Sequence, residues 1–157
     1  RNSGAWAIVE GAGDHCCEYM TGGRVCVLGS VGLNFAAGMS GGVAWVWDPS
    51  GAFMKKTLPS EVEVSRVDPA KPHHAYPSDL DDLKQLLEAH KEYTRSKVAT
   101  DILADWPKRA GEFARVFPID FMNAIVAARE KGENILTSMA DYLPDKRAGG
   151  KQFLGGR

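Results

Sequence analysis

The sequence has little net charge, few cysteines and no long apolar run, and each shortage excludes a class of protein. Nineteen basic residues face twenty acidic ones, so the net charge of −1 offers no electrostatic basis for binding nucleic acid or an anionic membrane. Three cysteines, two of them adjacent, do not make a disulfide framework, and reduced thiols are expected. No apolar run approaches the roughly 18 residues of a membrane span, and no signal-peptide pattern is present.

Recognisable catalytic motifs are also missing. The sequence has no nucleophile elbow, no HExxH or CxxC motif, no paired-carboxylate motif and no Walker A loop. The glycines at 29–32 resemble part of a dinucleotide fingerprint, but they lead into another glycine-rich run instead of opening a helix. The sequence therefore predicts no catalytic, cofactor-binding or metal-binding residue in this chain.

What the sequence does contain is a repeat. Shifted by 19 positions, residues 13–23 align with residues 32–42, and the run 24–28 aligns with 43–47. Each unit joins a glycine-dense stretch to a short apolar run rich in Val, Ile and Trp, which is typical of strands and too short for helices. Because one unit cannot bury its apolar face alone, the repeat predicts that successive units stack.

Stacking of this kind indicates a mostly β solenoid, namely a partial right-handed parallel β-helix. The glycine pairs 22–23 and 41–42 would form a column of turns, with Met20 above Met39 in an internal ladder. A β-hairpin array, in which the glycine pairs make tight turns, is the alternative. Because Arg1 lies inside a repeat unit, we expect the chain to be a fragment of a longer protein.

The second half of the chain changes its period. Residues 61–64 alternate like a last, exposed-edge strand, and two to three C-terminal helices follow, beginning near Ser78, Ser96 and Asp120. Residues 78–81 have the form of a capping box, and Gly132 is the expected end of the third helix. The predicted organisation is β-helix coils over 1–68, a helical extension over 69–132 and a mobile tail over 133–157.

The thiols are the first candidates for chemistry. His15, Cys16 and Cys17 could bind a metal or activate a thiolate, but adjacent cysteines rarely chelate one ion, and a structural role in a tight corner is favoured. Cys26 aligns with Trp45 inside an apolar run and is expected in the core.

Histidines and acids are the second group. His73 and His74 lie in a proline-framed loop without a nearby acidic or thiol partner in the sequence, which favours the surface. Glu10, Asp14 and Glu18 could form an acid–base pair, although roles in stabilising turns are favoured.

Longer motifs carry a resemblance to a known family. They are VEGAGDHCCEYMTGG at 9–23, VLG at 27–29, GLNFAAGMSGG at 32–42, HKEYT at 90–94, ILADW at 102–106 and FARVFPIDF at 113–121. Together they closely resemble the C-terminal GXGXG domain of the glutamate synthase large subunit, over about residues 1–130. Cys16 stands where the family usually has Gly, Trp45 where Tyr is common, and Arg95 where Gly usually follows the Tyr-Thr pair.

The resemblance implies a right-handed β-helix with C-terminal helices, in an oxidoreductase that makes two glutamates from glutamine and 2-oxoglutarate. It implies FMN and a 3Fe-4S cluster in the parent enzyme and no cofactor on this chain. The implied partners are the amidotransferase and FMN-binding synthase domains of the same polypeptide, with a small electron-transfer subunit as a further candidate. This piece would be a structural coupling domain, inactive alone, in the cytoplasm or in a eukaryotic plastid.

The same residues leave a second interpretation open. A stand-alone β-helix assembly subunit of a redox complex, similar to the GXGXG subunit of formylmethanofuran dehydrogenase, would also act as a scaffold. The segments around Trp106 and at 117–118 favour glutamate synthase.

Overall fold

The computed structural model describes residues 1–133, which form one five-stranded sheet and three α-helices. The strands are β1 (Ser3–Val9), β2 (Thr21–Val27), β3 (Gly41–Trp47), β4 (Val62–Arg66) and β5 (Phe113–Pro118). The helices are α1 (Asp79–Thr94), α2 (Lys97–Ala104) and α3 (Ile119–Glu130), with short 3-10 helices at Phe53–Lys55 and Lys108–Glu112. The predicted mobile tail lies, apart from Glu133, outside the described residues.

The predicted β-helix is wrong: the chain folds as an open mixed sheet with helices, an α/β arrangement. The strand order is β1-β2-β3-β5-β4, in which β1, β2 and β3 pair in parallel while β5 is antiparallel to both β3 and β4. Each repeat contributes one strand, and turns fill the rest of the unit. An antiparallel strand beside β3 ends the parallel stack, and the helices contain about as many residues as the strands.

The repeat itself does stack as parallel strands. In the β2–β3 pair, Arg24 lies beside Val43 and Cys26 beside Trp45, which is the register that the 19-residue shift predicts. Alternate side chains therefore enter two cores on opposite faces of the sheet. One core, around Cys26 and Trp45, is covered by the helices, and the other, around Val27 and Met20, is covered by the turns of the repeats.

The turns of successive repeats also bond to each other. Backbone N–H groups of Gly32, Asn34 and Ala36 donate to the carbonyl oxygens of Gly13, Asp14 and Cys16 at 3.1, 2.8 and 2.9 Å. Met20 and Met39 are both buried in the core beneath these turns, as predicted. The two turn segments, 10–20 and 28–40, are named the turn column below.

Glycine is required where the turn column meets the strands. Gly23 and Gly42 have φ angles of 88° and 79°, a conformation that side chains with a Cβ adopt only at a cost. A Cβ at Gly42 would lie 2.7 Å from the carbonyl oxygen of Gly23 and 2.6 Å from Cε of Met20. The predicted glycine column is thus a close approach of two backbones.

The helices begin near the predicted residues, with one difference in capping. Ser96 caps α2, because its Oγ accepts a hydrogen bond from the N–H of Ala99 at 3.0 Å. The predicted capping box at 78–81 is not formed: Ser78 precedes α1, but its hydroxyl donates to Asp82 at 3.3 Å and caps no backbone group. Gly132 follows α3 with a φ of 77°, consistent with the predicted end of that helix.

Substitution of Gly42 tests the close approach in the glycine column. We expect Gly42→Ala to lower the free energy of unfolding by about 2–5 kcal/mol, because it adds the cost of positive φ to that of a backbone clash. Urea unfolding of the full 157-residue chain measures the change.

Two other glycines separate these costs. Gly132 has a φ of 77°, and a Cβ added there would meet nothing within 4 Å, so Gly132→Ala should cost about 1–2 kcal/mol. Gly13 has similar open space and no positive φ, so Gly13→Ala should be nearly neutral. Equal losses in all three variants would contradict the stacking argument.

Candidate functional site

A buried carboxylate, Asp82 in the first turn of α1, collects several donors from the sheet and the preceding loop. The Nε of Arg24 donates to Oδ2 of Asp82 at 2.8 Å, and the hydroxyl of Tyr76 donates to the same oxygen. The guanidinium carbon of Arg24 also lies 4.2 Å from the ring centroid of Trp6. Burial and the charge of Asp82 raise the pKa of Tyr76, so this hydroxyl keeps its proton.

A second carboxylate, Asp79, lies three residues earlier on the same face of α1 and bonds to side chains of two further strands. The indole Nε1 of Trp45 on β3 donates to Oδ1 of Asp79 at 2.8 Å, and Arg115 on β5 donates to Oδ2. Arg115 also donates to Oγ of Ser65 at 2.8 Å. We call these residues the anchor network, defined as Arg24, Trp45, Tyr76, Asp79, Asp82 and Arg115.

The anchor network contains several charged side chains, as active sites do, but these side chains are buried and a substrate could not reach them from solvent. Asp79 and Asp82 are 3% and 8% exposed, and Arg24 and Arg115 are similarly buried. Both oxygens of Asp79 and Oδ2 of Asp82 accept from donors of the same chain, so the buried carboxylates are engaged within the fold. What this arrangement does is fasten a helix to three strands.

A third polar contact joins the start of the first turn segment to the helices. The carboxylate of Glu10 accepts from the Oγ of Ser96 at 2.5 Å and lies 3.3 Å from Nε2 of His90. The hydrogen bond from Ser96, together with His90, lowers the pKa of Glu10. In a nucleophilic triad the imidazole lies between hydroxyl and carboxylate, whereas here the carboxylate lies between the other two, so these three residues do not have the order of such a triad.

The other clustered acids stabilise turns, as the sequence favoured. Oδ1 of Asp14 accepts the backbone N–H of Leu33 at 3.0 Å, across one repeat. Oε1 of Glu18 lies 3.0 Å from Nδ1 of the exposed His15. This contact raises the pKa of His15. Neither carboxylate bonds Glu10 in the described part of the chain, so the structure places no acid–base pair here.

The three thiols lie on opposite faces of the sheet. Cys26 is fully buried in the core under the helices, as predicted, whereas Cys16 and Cys17 pack against the core under the turn column. A 3Fe-4S cluster is held by cysteine thiolates that converge on one site, and this donor set cannot converge. Among residues 1–133, no group of three or more His, Cys, Asp or Glu side chains could hold a metal ion.

Of the two loop histidines, His74 lies on the surface as predicted, whereas His73 does not. His74 is exposed, but the side chain of His73 is only 8% exposed and lies over Phe117, with ring centroids 6.0 Å apart. Its Nδ1 accepts the N–H of Tyr76 at 3.2 Å, and its Nε2 lies 3.8 Å from Glu63. Burial, followed by the charge of Arg115, lowers the pKa of His73 to about 4.

The glycine-rich repeat lies within a stretch of sequence that is shared with known proteins. The family model described as the GXGXG motif matches residues 1–119. The chain belongs to the GXGXG motif family. No helix among the described residues of this family member is long and apolar enough to cross a membrane.

Relatives of this GXGXG chain are glutamate synthases. "Glutamate synthase [NADH]" of Schizosaccharomyces pombe is 45% identical over 133 residues, covering 85% of this chain and 6% of the relative. "Glutamate synthase [NADPH] large chain" of Bacillus subtilis is 40% identical over 132 residues, covering 83% and 8%. "Ferredoxin-dependent glutamate synthase, chloroplastic" of Spinacia oleracea is 46% identical over 118 residues, covering 75% and 7%. The chain thus spans less than a tenth of the length of these curated relatives.

Sequence reasoning missed the anchor network. A signal was available in the charged residues inside two apolar strands, Arg24 in β2 and Arg115 in β5, since a charge in such a run needs a buried partner. The acidic first turn of α1 supplies that partner, but its pairing with either strand depends on the tertiary fold. The resemblance to a known family did not reveal these ion pairs either, because the matching motifs do not show which side chains contact each other.

Removal of Asp82 tests the anchor network. We expect Asp82→Ala to lower the free energy of unfolding by about 3–5 kcal/mol, because the change leaves the buried guanidinium of Arg24 without its carboxylate. Asp81 is the matched control: it lies in the same turn of α1 and is exposed, so Asp81→Ala should cost about 0.3–1 kcal/mol.

A double-mutant cycle adds a readout specific to the pair. If Arg24 and Asp82 interact, the double variant Arg24→Ala/Asp82→Ala should lose clearly less stability than the sum of the single variants. Additive losses, or equal losses in Asp81→Ala and Asp82→Ala, would contradict the pairing. Urea unfolding monitored by circular dichroism gives all of these values.

His73 predicts a loss of stability on acidification. Its pKa is lowered from 6.5 to about 4 in the fold, so the unfolded chain binds a proton first. Its contribution to stability is complete above pH 6.5 and is lost as the pH falls towards 4. Protonation would also place a hydrogen on Nδ1, the atom that accepts from Tyr76.

Asparagine variants isolate this effect, since the Asn side-chain oxygen can accept at the position of Nδ1 but does not titrate. We expect His73→Asn to reduce the fall in unfolding free energy between pH 7 and pH 5, while His74→Asn keeps the wild-type dependence. Unfolding curves at both pH values measure it. The same pH dependence in wild type and His73→Asn would show that His73 does not titrate as stated.

Proposed function

We propose that this chain is a structural coupling domain of a glutamate synthase, without catalytic residues of its own. The observation that carries the proposal is the anchor network, in which buried charges bind one another and fasten helix to sheet. Membership of the GXGXG family and the glutamate synthase relatives support the assignment to this enzyme. Those relatives favour it over a stand-alone assembly subunit of another redox complex.

In this proposal the reaction takes place in other parts of the parent polypeptide. An amidotransferase domain releases ammonia from glutamine, and a synthase domain joins it to 2-oxoglutarate with reduction. FMN and a 3Fe-4S cluster would supply electron transfer there. The thiols of this chain, which lie on opposite faces of one sheet, do not fit the cluster.

The contribution proposed for this domain is mechanical. A sheet fixed to its helices by two buried carboxylates presents a rigid surface on which the two catalytic domains would keep their spacing. A coupling role requires rigidity, because ammonia reaches the active site of the synthase domain only if the two catalytic domains keep their relative positions. The proposed location is the cytoplasm, or a plastid, since the relative from Spinacia oleracea is a chloroplastic protein.

Coupling is tested in the full-length parent enzyme. We expect Asp82→Ala to lower the glutamate formed per glutamine consumed, while glutamine hydrolysis persists, because the loosened domain no longer holds the spacing. Asp81→Ala is the matched control and should keep the wild-type ratio. Limited proteolysis would show whether the domain of the Asp82→Ala enzyme is loosened. If it is, and the ratio of glutamate formed to glutamine consumed is unchanged, the coupling role is wrong.

Absence of catalytic residues is tested separately with side chains that are not in the anchor network. The enzyme with Cys16→Ser and Cys17→Ser, and the one with Glu10→Gln, should keep wild-type turnover. Loss of turnover in either variant, with folding and assembly intact by circular dichroism and gel filtration, would assign chemistry to this chain.

A further inference from the structure

The thiols of the adjacent residues Cys16 and Cys17 lie close together on the same side of a turn. Their Sγ atoms lie 3.7 Å apart within a turn, close enough for one thiol to donate a weak hydrogen bond to the other. In an extended strand, neighbouring side chains point to opposite faces. Here Cys17 has a φ of 61°, a left-handed conformation, and the turn directs both thiols to the same side.

Access to this pair differs from that of the third thiol. Cys16 and Cys17 are partly exposed and line an open groove of about 690 Å³, which is also lined by Ala5, Ala7 and Val9 of β1. Cys26 is fully buried, and burial raises its pKa. A small oxidant can therefore reach the pair from solvent, while Cys26 serves as an internal reference.

The two thiols are also not equivalent. The thiol of Cys17 and its backbone N–H both stabilise a thiolate on Cys16, which lowers the pKa of Cys16. The same contact, together with its greater burial, raises the pKa of Cys17. A more acidic, partly exposed cysteine beside a second thiol is the arrangement found in redox-responsive pairs.

We propose that Cys16 and Cys17 form a redox-responsive vicinal dithiol, which a hydroperoxide closes to a disulfide. The Cys16 thiolate attacks the outer peroxide oxygen; the S–O bond forms, the O–O bond breaks, and the leaving alkoxide or hydroxide takes a proton from water. The sulfur of Cys17 then attacks Sγ of Cys16; the S–S bond forms, the S–O bond breaks, and the departing hydroxide leaves as water with the proton of Cys17. Two thiols lose two electrons, and the peroxide is reduced to an alcohol, or water, and water.

The closed form would be easily reduced, which makes the site reversible. Cα atoms of adjacent residues are about 3.8 Å apart, whereas ordinary disulfides span about 4.4–6.8 Å. A strained disulfide has a more oxidising potential and is the labile, regulatory kind. Forming the disulfide would also shift the peptide whose carbonyl oxygen accepts from the N–H of Ala36. The hydrogen bonding within the turn column would therefore change.

Peptide mass spectrometry on the full 157-residue chain tests the proposal directly. Trypsin cleavage after Arg24 separates residues 2–24, which carry both thiols of the pair, from residues 25–55, which carry Cys26. After brief treatment with hydrogen peroxide and alkylation, the peptide 2–24 should lose two hydrogen atoms and both alkylation sites. Dithiothreitol should restore both, and Cys26 should stay reduced throughout.

Two serine variants assign the roles, with circular dichroism confirming that each is folded. Cys17→Ser should stop at a sulfenic acid on Cys16, which dimedone traps. Cys16→Ser should react more slowly than wild type, since the remaining thiol of Cys17 is the more buried of the two and burial raises its pKa.

The same measurements on the wild-type chain can overturn the proposal. It fails if the peptide 2–24 keeps both thiols under peroxide that forms sulfenic acid in a reference thiol, or if Cys16 is oxidised to sulfinic acid while Cys17 stays free. Equal rates in wild type and Cys16→Ser would also reject it. Each readout is a covalent state of this chain, so the outcome is independent of the proposed coupling function.

Discussion

Two carboxylates in the first turn of one helix hold the molecule together. Asp79 and Asp82 are three residues apart on α1, so they share a face of the helix and both point at the sheet. Asp82 binds Arg24 on β2, while Asp79 binds Trp45 on β3 and Arg115 on β5. The helix therefore spans the boundary between the parallel half of the sheet and the antiparallel half. These bonds act together with the β3–β5 ladder and with polar contacts such as Trp47 to Glu112 and Arg66 to Asp48 in joining the two halves.

This constraint explains why the repeat does not continue as a solenoid. A repeating coil needs each unit to be covered by the next, whereas here the last repeat strand, β3, is covered on its edge by β5 and on one face by helices. Arg115 lies in the middle of β5, and its charge is tolerated there because Asp79 is already fixed on α1. The helices and β5 thus form one unit with the repeats.

The sequence predicted the features that depend on a local residue pattern and missed those that depend on contacts between residues far apart in the chain. The 19-residue period predicted the parallel register of β2 and β3, the glycine column and the buried methionines, since all three follow from identical neighbours in stacked units. Strand β5 was not predicted, because its six residues lie between predicted helices and their pairing with β3 and β4 depends on the tertiary fold. The capping box failed for the same reason: the Ser78 hydroxyl is drawn to Asp82, whose position the sheet decides. Both differences arise where α1 meets the sheet.

The vicinal thiols lie in a part of the molecule that is held in a different way. The sheet and helices are joined by buried charges, whereas the two segments of the turn column are joined to each other mainly by backbone hydrogen bonds, each worth about 0.5–1.5 kcal/mol net. Segments held by few such bonds near solvent are the ones that open locally while the rest stays folded. A covalent change at Cys16 can thus move the turn column without breaking the Asp79 and Asp82 contacts, which lie on the opposite face of the sheet. A redox response at the turns is therefore physically compatible with a rigid scaffold, because the two depend on different interactions.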